Sequence, residues 1–379
     1  MKIEQRYWTT DEGWQIEPGA TLAGTASLVL IFGSTRLLEN TGKMDEVRAM
    51  YPQAPLVGCS TAGEICDTRV RDDSLVVTAI RFEHTEVRLA HTIVSNSADS
   101  HGAGQHLAQV LADEKLVHVL TFSDGLRVNG TELARGLREN LPENVAVTGG
   151  LAGDGANFMQ TFVCAGSEPV SGMIAAVGLY GDHLKVGYGS LGGWDSFGAE
   201  RLVTRSQGNI LYELDGSSAL TLYKEYLGEH AAGLPSTALL FPLALRTDES
   251  GYSLVRTVLS VDEQEQSMTF AGDIPQGSYA RLMKANFDRL VDGAEGAAQA
   301  GREMLGSSNA ELALLISCVG RKLVLKQRIE EEVESVRNVL GPQAVLTGFY
   351  SYGEISPHNA VTRCELHNQT MTITTFSER

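Results

Sequence analysis

Gly348-Phe349-Tyr350-Ser351-Tyr352-Gly353-Glu354-Ile355-Ser356-Pro357 sets two glycines, two tyrosines and an acid behind a short apolar run, Ala344-Val345-Leu346-Thr347. Far upstream, Gly58-Cys59-Ser60-Thr61-Ala62-Gly63-Glu64-Ile65 follows Pro55-Leu56-Val57. Glycine, a hydroxyl residue, glycine, glutamate and isoleucine recur at the same spacing in both. The echo marks two loops as matching parts of a duplicated architecture. It decides how the rest of the chain is read.

The flanks of both loops share one order of elements. Ser27–Phe32 is a β-branched run of strand length, and Met44, Val47 and Met50 then recur at helical spacing with Thr41 as N-cap. Leu56-Val57 is the next strand, the loop follows, and Leu75–Phe82 is a strand again. The order repeats through Leu116–Phe122, a helix marked by Leu133 and Leu137, Val145–Thr148, the loop Gly149–Gly155, and the strands Phe158–Val163 and Met173–Tyr180. It occurs a third time through Leu312–Ser317, a helix bearing Ile329, Val333, Val336 and Leu340, Val345–Thr347, the opening loop and Met371–Phe376. Repeated βαβ-loop-β units predict an α/β fold of mixed parallel and antiparallel sheets covered by helices, in two pseudo-symmetric halves.

Between the second and third copies the pattern changes. His183–Ser190 reads as a strand, residues 210–227 as a helix, and the runs Leu239–Leu245, Ser253–Leu259 and Met268–Phe270 as an antiparallel group. A helix carrying Leu282, Phe287 and Leu290 follows, then an Ala- and Gly-rich stretch, 293–308, that reads as a second helix or a hinge. The expected division is an N-terminal arm packed on the body (1–26), a first domain (27–215) and a second (216–379).

Composition narrows the functional classes. The net charge of −17 excludes nucleic acid and anionic membrane as partners, because both demand basic patches. Five widely spaced cysteines fit free thiols in a reducing compartment. Met1-Lys2-Ile3-Glu4-Gln5-Arg6 lacks the apolar run of a signal peptide, and no apolar segment reaches the ~20 residues of a membrane span, so a cytoplasmic location is expected.

Several motifs fail their context tests. Gly187-Tyr188-Gly189-Ser190-Leu191-Gly192 matches the dinucleotide pattern, but the residues after it open no helix for a pyrophosphate. Cys364 and His367 have no second pair to complete a zinc tetrahedron. Cys59 has no histidine beside it in sequence to act as a base, so a nucleophile reading has no support. Gly149–Gly155 fits an anion-binding nest or a close backbone approach equally well. His118 lies inside a strand and reads as a hydrogen-bonded core residue. Glu64 and Glu354, flanked by glycine and isoleucine, read as buried acids that cap loop N–H groups or bind a ligand's amine. Tyr350 and Tyr352 alternate at a strand end, one ring toward the core and one toward a pocket. His183, His358 and His367 lie beside the glycine-rich loops and are the metal- or haem-ligand choices.

Val57–Ile65, Thr148–Gly155, Val203–Gly216, Gly348–Pro357 and His367–Thr370, in this order and spacing, resemble the FIST sensory proteins, a FIST N-terminal domain followed by a FIST C-terminal domain. The resemblance implies a ligand-binding input module of bacterial signalling, not an enzyme. With Gly189-Ser190-Leu191-Gly192-Gly193-Trp194-Asp195, the chain is similar to stand-alone members that look like haem-binding nitric-oxide sensors. That implies haem b as cofactor; the lack of a CxxCH motif makes its attachment non-covalent, and His183, His358 and His367 are the ligand choices by their place beside the glycine-rich loops. A histidine kinase or a cyclic-di-GMP enzyme is the implied partner, with a homodimer as the assembly. The alternative is a sensor of a small metabolite such as an amino acid, with Ser60, Thr61, Glu64, Tyr350, Tyr352 and Glu354 as ligand-binding residues. An enzyme acting on a small metabolite is the third reading.

Overall fold

Backbone crowding, more than side-chain preference, fixes the centre of this molecule. A Cβ on Gly58, Gly149 or Gly348 would lie 1.7, 1.8 and 1.8 Å from the carbonyl oxygens of Ile31, Thr121 and Leu315. Only glycine lets these strands run so close. The computed structural model describes residues 1–166, 168–246, 254–357 and 364–379.

Three copies of one unit build the core. First strands Leu28–Gly33, Leu116–Ser123 and Leu312–Cys318 lead into helices Thr41–Met50, Gly130–Asn140 and Ile329–Leu340. Second strands Leu56–Ser60, Ala146–Leu151 and Val345–Ser351 lie parallel to the first. Return strands Leu75–Arg81, Met173–Tyr180 and Met371–Glu378 pair antiparallel to the first. The first strands are buried almost throughout, which explains their near-continuous apolar runs.

The units are interlocked. After its second strand, each sends a short strand into another unit's sheet. Glu64–Cys66 pairs with Val345–Ser351, Gly353–Pro357 with Ala146–Leu151, and Val163–Ala165 with Leu56–Ser60. The exchange is cyclic: every unit lends one strand and receives one. Three six-stranded mixed sheets result. Where they meet, Phe32, Phe122 and Phe349 cluster with ring centroids 4.8–6.2 Å apart. Gly150 leaves room beside them, since a Cβ there would sit 2.7 Å from Ile316 Cγ2.

A second body, an eight-stranded antiparallel sheet, is inserted between units two and three. Its long strand Asp195–Gln207 pairs with Tyr279–Lys284 and Ile210–Leu214. Its own core includes Val203, Leu211, Leu220, Tyr223, Phe270 and Leu282.

Residues 1–26 pack on the body as strands: Lys2–Thr9 pairs along Leu75–Arg81 and Gly13–Ile16 extends that sheet. Several expectations are corrected. Residues 210–227 split into a strand, Ile210–Leu214, and a helix, Ala219–Leu227, at a turn where Asp215 and Gly216 take positive φ. Leu282 lies in the strand Tyr279–Lys284, and the helix begins at Phe287. Residues 293–304 are not a hinge but the body of one continuous helix, Phe287–Met304. Its small residues let it lie on the strand Leu184–Leu191, where Cβ atoms at Gly187 and Gly189 would come within 1.9 and 2.3 Å of the Gly301 and Ala297 carbonyls. The expected strand Phe158–Val163 is mostly loop, with regular pairing only at Val163–Ala165. Among the described residues, no helix is long and apolar enough to cross a membrane.

Candidate functional site

The two echoed glutamates begin, or nearly begin, the strands that units one and three lend. Glu64 is buried, and its Oε1 accepts from Thr61 Oγ1 while Oε2 accepts from Ser74 Oγ at 2.6 Å and Ser74 N at 3.1 Å. Glu354 repeats the arrangement with Ser351 Oγ at 2.6 Å, Thr370 Oγ1 at 2.9 Å and Thr370 N at 3.3 Å. Each carboxyl ties the lent strand to the start of its own return strand. Burial pushes Glu64 up to about 7 and Glu354 up to about 8, against the downward pull of these hydrogen bonds. Of the two readings open for these acids, the geometry is that of capping.

Unit two departs from the pattern. Gly155 stands where the other units have glutamate, and the chain first makes a loop before lending its strand. Asp154 organises that loop: its Oδ1 accepts from Phe158 N at 2.8 Å, and its Oδ2 from Met159 N at 2.7 Å and Gln160 N at 2.8 Å. Phe158 is held at φ +54 and its ring stacks on Tyr352, 4.4 Å between centroids and 15° from parallel. Tyr352 OH donates to Asp154 Oδ1 and so ties unit three to this loop.

The mouths of the three units are consequently unlike. At the first, Ser34, Thr61, Glu64, Asp72 and Asp154 line an open polar cleft of about 420 Å³. From the third, Lys322 reaches across Gly63, donating to the Ala62 carbonyl at 2.8 Å and pairing with Asp72 beside that cleft. At the second, the antiparallel body forms a roof. An inner chamber of about 240 Å³ lies there, bounded by Leu126, Asn129, Leu151, Cys318 and Tyr352 of the core and by Thr257 and Asp273 of the roof. An outer chamber of about 680 Å³, lined by Ala156, Pro235, Leu240, Val258, Leu323 and Lys326 among others, adjoins it. Leu126, Phe158, Leu239 and Leu259 border both chambers, so the two lie side by side along the same junction. Leu126, Phe158 and Leu259 are 40%, 37% and 42% exposed, so large apolar side chains face solvent at this cleft.

The sequence-derived site residues scatter. Thr61 and Glu64 border the polar cleft, and Tyr352 borders the inner chamber. Ser60 is a correction: it is fully buried, and its Oγ accepts from Phe162 N at 2.9 Å, seating the strand lent by unit two. Tyr350 is a second, since its ring is in the core and its OH donates to Glu332 Oε1 at 2.6 Å. Glu332 is paired there with Arg321 at 2.7 Å, both fully buried, and also accepts from Ser317 at 3.1 Å. Glu354 borders none of these chambers.

The histidines do not converge. His183 is half-exposed, with Nδ1 2.7 Å from the Arg379 carbonyl and its ring 4.5 Å from that of His84. His367 is buried, with Nε2 2.9 Å from the Ser356 carbonyl. His358 lies outside the described residues. A bound haem b needs an axial side chain facing room for the macrocycle. No described histidine borders the three chambers. Cys318 and Tyr352 do border one, but burial holds the Cys318 thiol protonated and the Tyr352 hydroxyl is committed to Asp154. These three chambers therefore offer haem no free axial side chain among the described residues. His118, as expected, is a core residue: burial pushes it down to about 3, and Nε2 lies 2.9 Å from Thr148 Oγ1.

Sequence reasoning missed Phe158, Leu259, Thr257 and Asp273. One signal was legible: Phe158 and Met159 are two large apolar residues in a glycine-rich loop. Thr257 and Asp273 carry none, because only the fold brings the antiparallel body over unit two.

Comparison with known proteins gives a family. A protein of Methanocaldococcus jannaschii whose function is uncharacterised is 24% identical over 306 residues, covering 71% of this chain and 56% of that protein. The chain thus spans little more than half of that relative. A chorismatase crystal structure aligns over 99% of this chain and 98% of its own at 10% identity, with a TM-score of 0.37. A cyanuric acid hydrolase from A. caulinodans aligns over 78% of this chain and 99% of its own, at 11% identity and a TM-score of 0.19. Models of the FIST N and FIST C domains match residues 27–217 and 219–357, and the chain belongs to the FIST family of sensory domains.

Proposed function

We propose that this FIST protein senses a small molecule held in the cleft between the three-unit core and the antiparallel body, and passes the bound state to a signalling partner such as a histidine kinase. The observation that carries the reading is the pair of adjoining chambers beneath exposed apolar side chains, at the junction of two separately cored bodies. Ligand sites favour such junctions, because a guest there contacts both bodies and biases their arrangement. Asn129 of the core already donates to Asp273 of the roof at 3.2 Å, so the joint is sensitive to what lies beside it.

A thermal-shift screen of small metabolites tests this. A ligand at about 100 times its Kd adds about 2.7 kcal/mol to stability. Leu259→Asp places a charge on the rim at a position already 42% exposed, so the variant is expected to fold. Hits should raise the Tm of the wild type and leave the Leu259→Asp protein unmoved. Equal shifts in both proteins would sink the cleft reading. Haemin reconstitution is the companion measurement: a ligated Soret band abolished by His358→Ala would place haem outside the described residues and replace this reading.

A further inference from the structure

The inner chamber contains an unmet polar demand. Thr257 is 5% exposed and lines the chamber, yet its Oγ1 is closed to solvent with no hydrogen-bond partner among the described residues. A buried hydroxyl left unpaired costs about 1–3 kcal/mol. A guest that supplies the missing bond recovers that cost, so the hydroxyl marks where a polar group of the guest sits.

Asp273 decides the charge of that group. Among the described residues it is the sole carboxylate lining the inner chamber, and no lysine, arginine or histidine lines it. Its Oδ1 accepts one bond, from Asn129 Nδ2, and a carboxylate has lone pairs for several donors. The Asn129 oxygen is already occupied, accepting from the main-chain N–H groups of Thr131 and Glu132 at the start of the helix Gly130–Asn140. Arg256 lies behind the wall: its guanidinium donates to the carbonyls of Asp273 at 3.2 Å, Val255 at 3.3 Å and Leu366 at 3.0 Å, and does not border the chamber. Ser97 and Asn209 add polar groups to the lining, and the stacked Phe158 and Tyr352 rings form part of its apolar wall. The protein's net charge of −17 raises the local concentration of cations.

We propose that the inner chamber binds the ammonium head of an organic amine, with Asp273 and Thr257 accepting its N–H bonds and its apolar body lying along the Phe158–Tyr352 wall. The proposal rests on the cleft reading above and names the ligand class. Lys326 borders the outer chamber and not the inner one, so among the described residues the inner chamber has no cation for a carboxylate. A simple amine is therefore favoured over an α-amino acid or a carboxylic acid with the same body.

Isothermal titration of the full chain at pH 7 with 2-phenylethylamine, L-phenylalanine and 3-phenylpropionate tests the ranking. The amine should bind at least tenfold more tightly than either competitor. Asp273→Asn should weaken amine binding at least tenfold, and Thr257→Val several-fold, with circular dichroism unchanged. The proposal is overturned if the acid or the amino acid binds as tightly as the amine, if Asp273→Asn binds the amine unchanged, or if none of the three probes binds. Should Asp273→Asn fail to fold, the probe ranking and Thr257→Val decide. The cleft reading stands or falls separately, on whether any metabolite gives a Leu259-dependent thermal shift.

Discussion

Glu64 and Glu354 show how much a single buried carboxyl contributes to this fold and how pH enters it. Burial raises them to about 7 and about 8. The folded protein therefore keeps protons that an unfolded chain has released above the ordinary glutamate value of about 4.3. Stability contributed by these groups is full below that value and is lost as pH rises toward 8. Denaturant unfolding at pH 5.5 and pH 8 should show this fall, and Glu354→Gln should flatten it; an unchanged slope in the variant would refute the assignment. The Arg321–Glu332 pair behaves differently, because removing one partner strands a buried charge. Glu332→Ala should cost about 3–5 kcal/mol in the same assay, and a loss below 1 kcal/mol would show the pair to be dispensable. The glutamates were legible from the echo of two loops, and so was the capping alternative. Glu332 was not, because nothing in its helical spacing separates a solvated acid from one turned inward onto Arg321 and Tyr350.

At the scale of elements, glycine was the hardest residue to read. The stretch 293–308 read by composition as a helix or a hinge, and its glycines and alanines serve close contact between the helix Phe287–Met304 and the strand Leu184–Leu191. Two substitutions separate these readings. Gly296 lies in the helix, and a Cβ there meets only the end of the flexible Leu191 side chain, at 2.8 Å. Gly296→Ala should leave stability unchanged or raise it by up to about 1 kcal/mol, the helix-propensity difference. A hinge would lose function with it. Gly189→Ala drives a methyl against the Ala297 carbonyl and should destabilise by several kcal/mol, as overpacking against backbone does. Thermal unfolding of the two variants checks both. The βαβ order itself was readable because first strands, helices and second strands each carry their own periodicity. The loop 154–162 was not, since Phe158 and Phe162 resemble strand residues until Asp154 is seen gathering three N–H groups.

At the scale of the molecule, the cyclic lending of strands ties together residues that the sequence keeps apart. The FIST N match ends at residue 217, but the sheet of unit two is completed by Gly353–Pro357, and Glu64–Cys66 belongs to the sheet of unit three. A fragment of residues 1–217 should therefore be insoluble or largely unfolded alone, and should recover native circular dichroism when co-expressed with residues 218–379. A soluble, cooperatively melting 1–217 fragment would show that the lent strands are dispensable. The three units were visible in the sequence; their interlocking was not, because a three-residue strand has no pattern of its own. The interlocking also sets a timetable for birth of the protein on the ribosome. Glu64–Cys66 is made about 280 residues before its sheet neighbour Val345–Ser351. At roughly 5–20 residues per second the interval is on the order of tens of seconds. Throughout it, the newborn chain holds an apolar edge open, and this is the window in which chaperones have most to do.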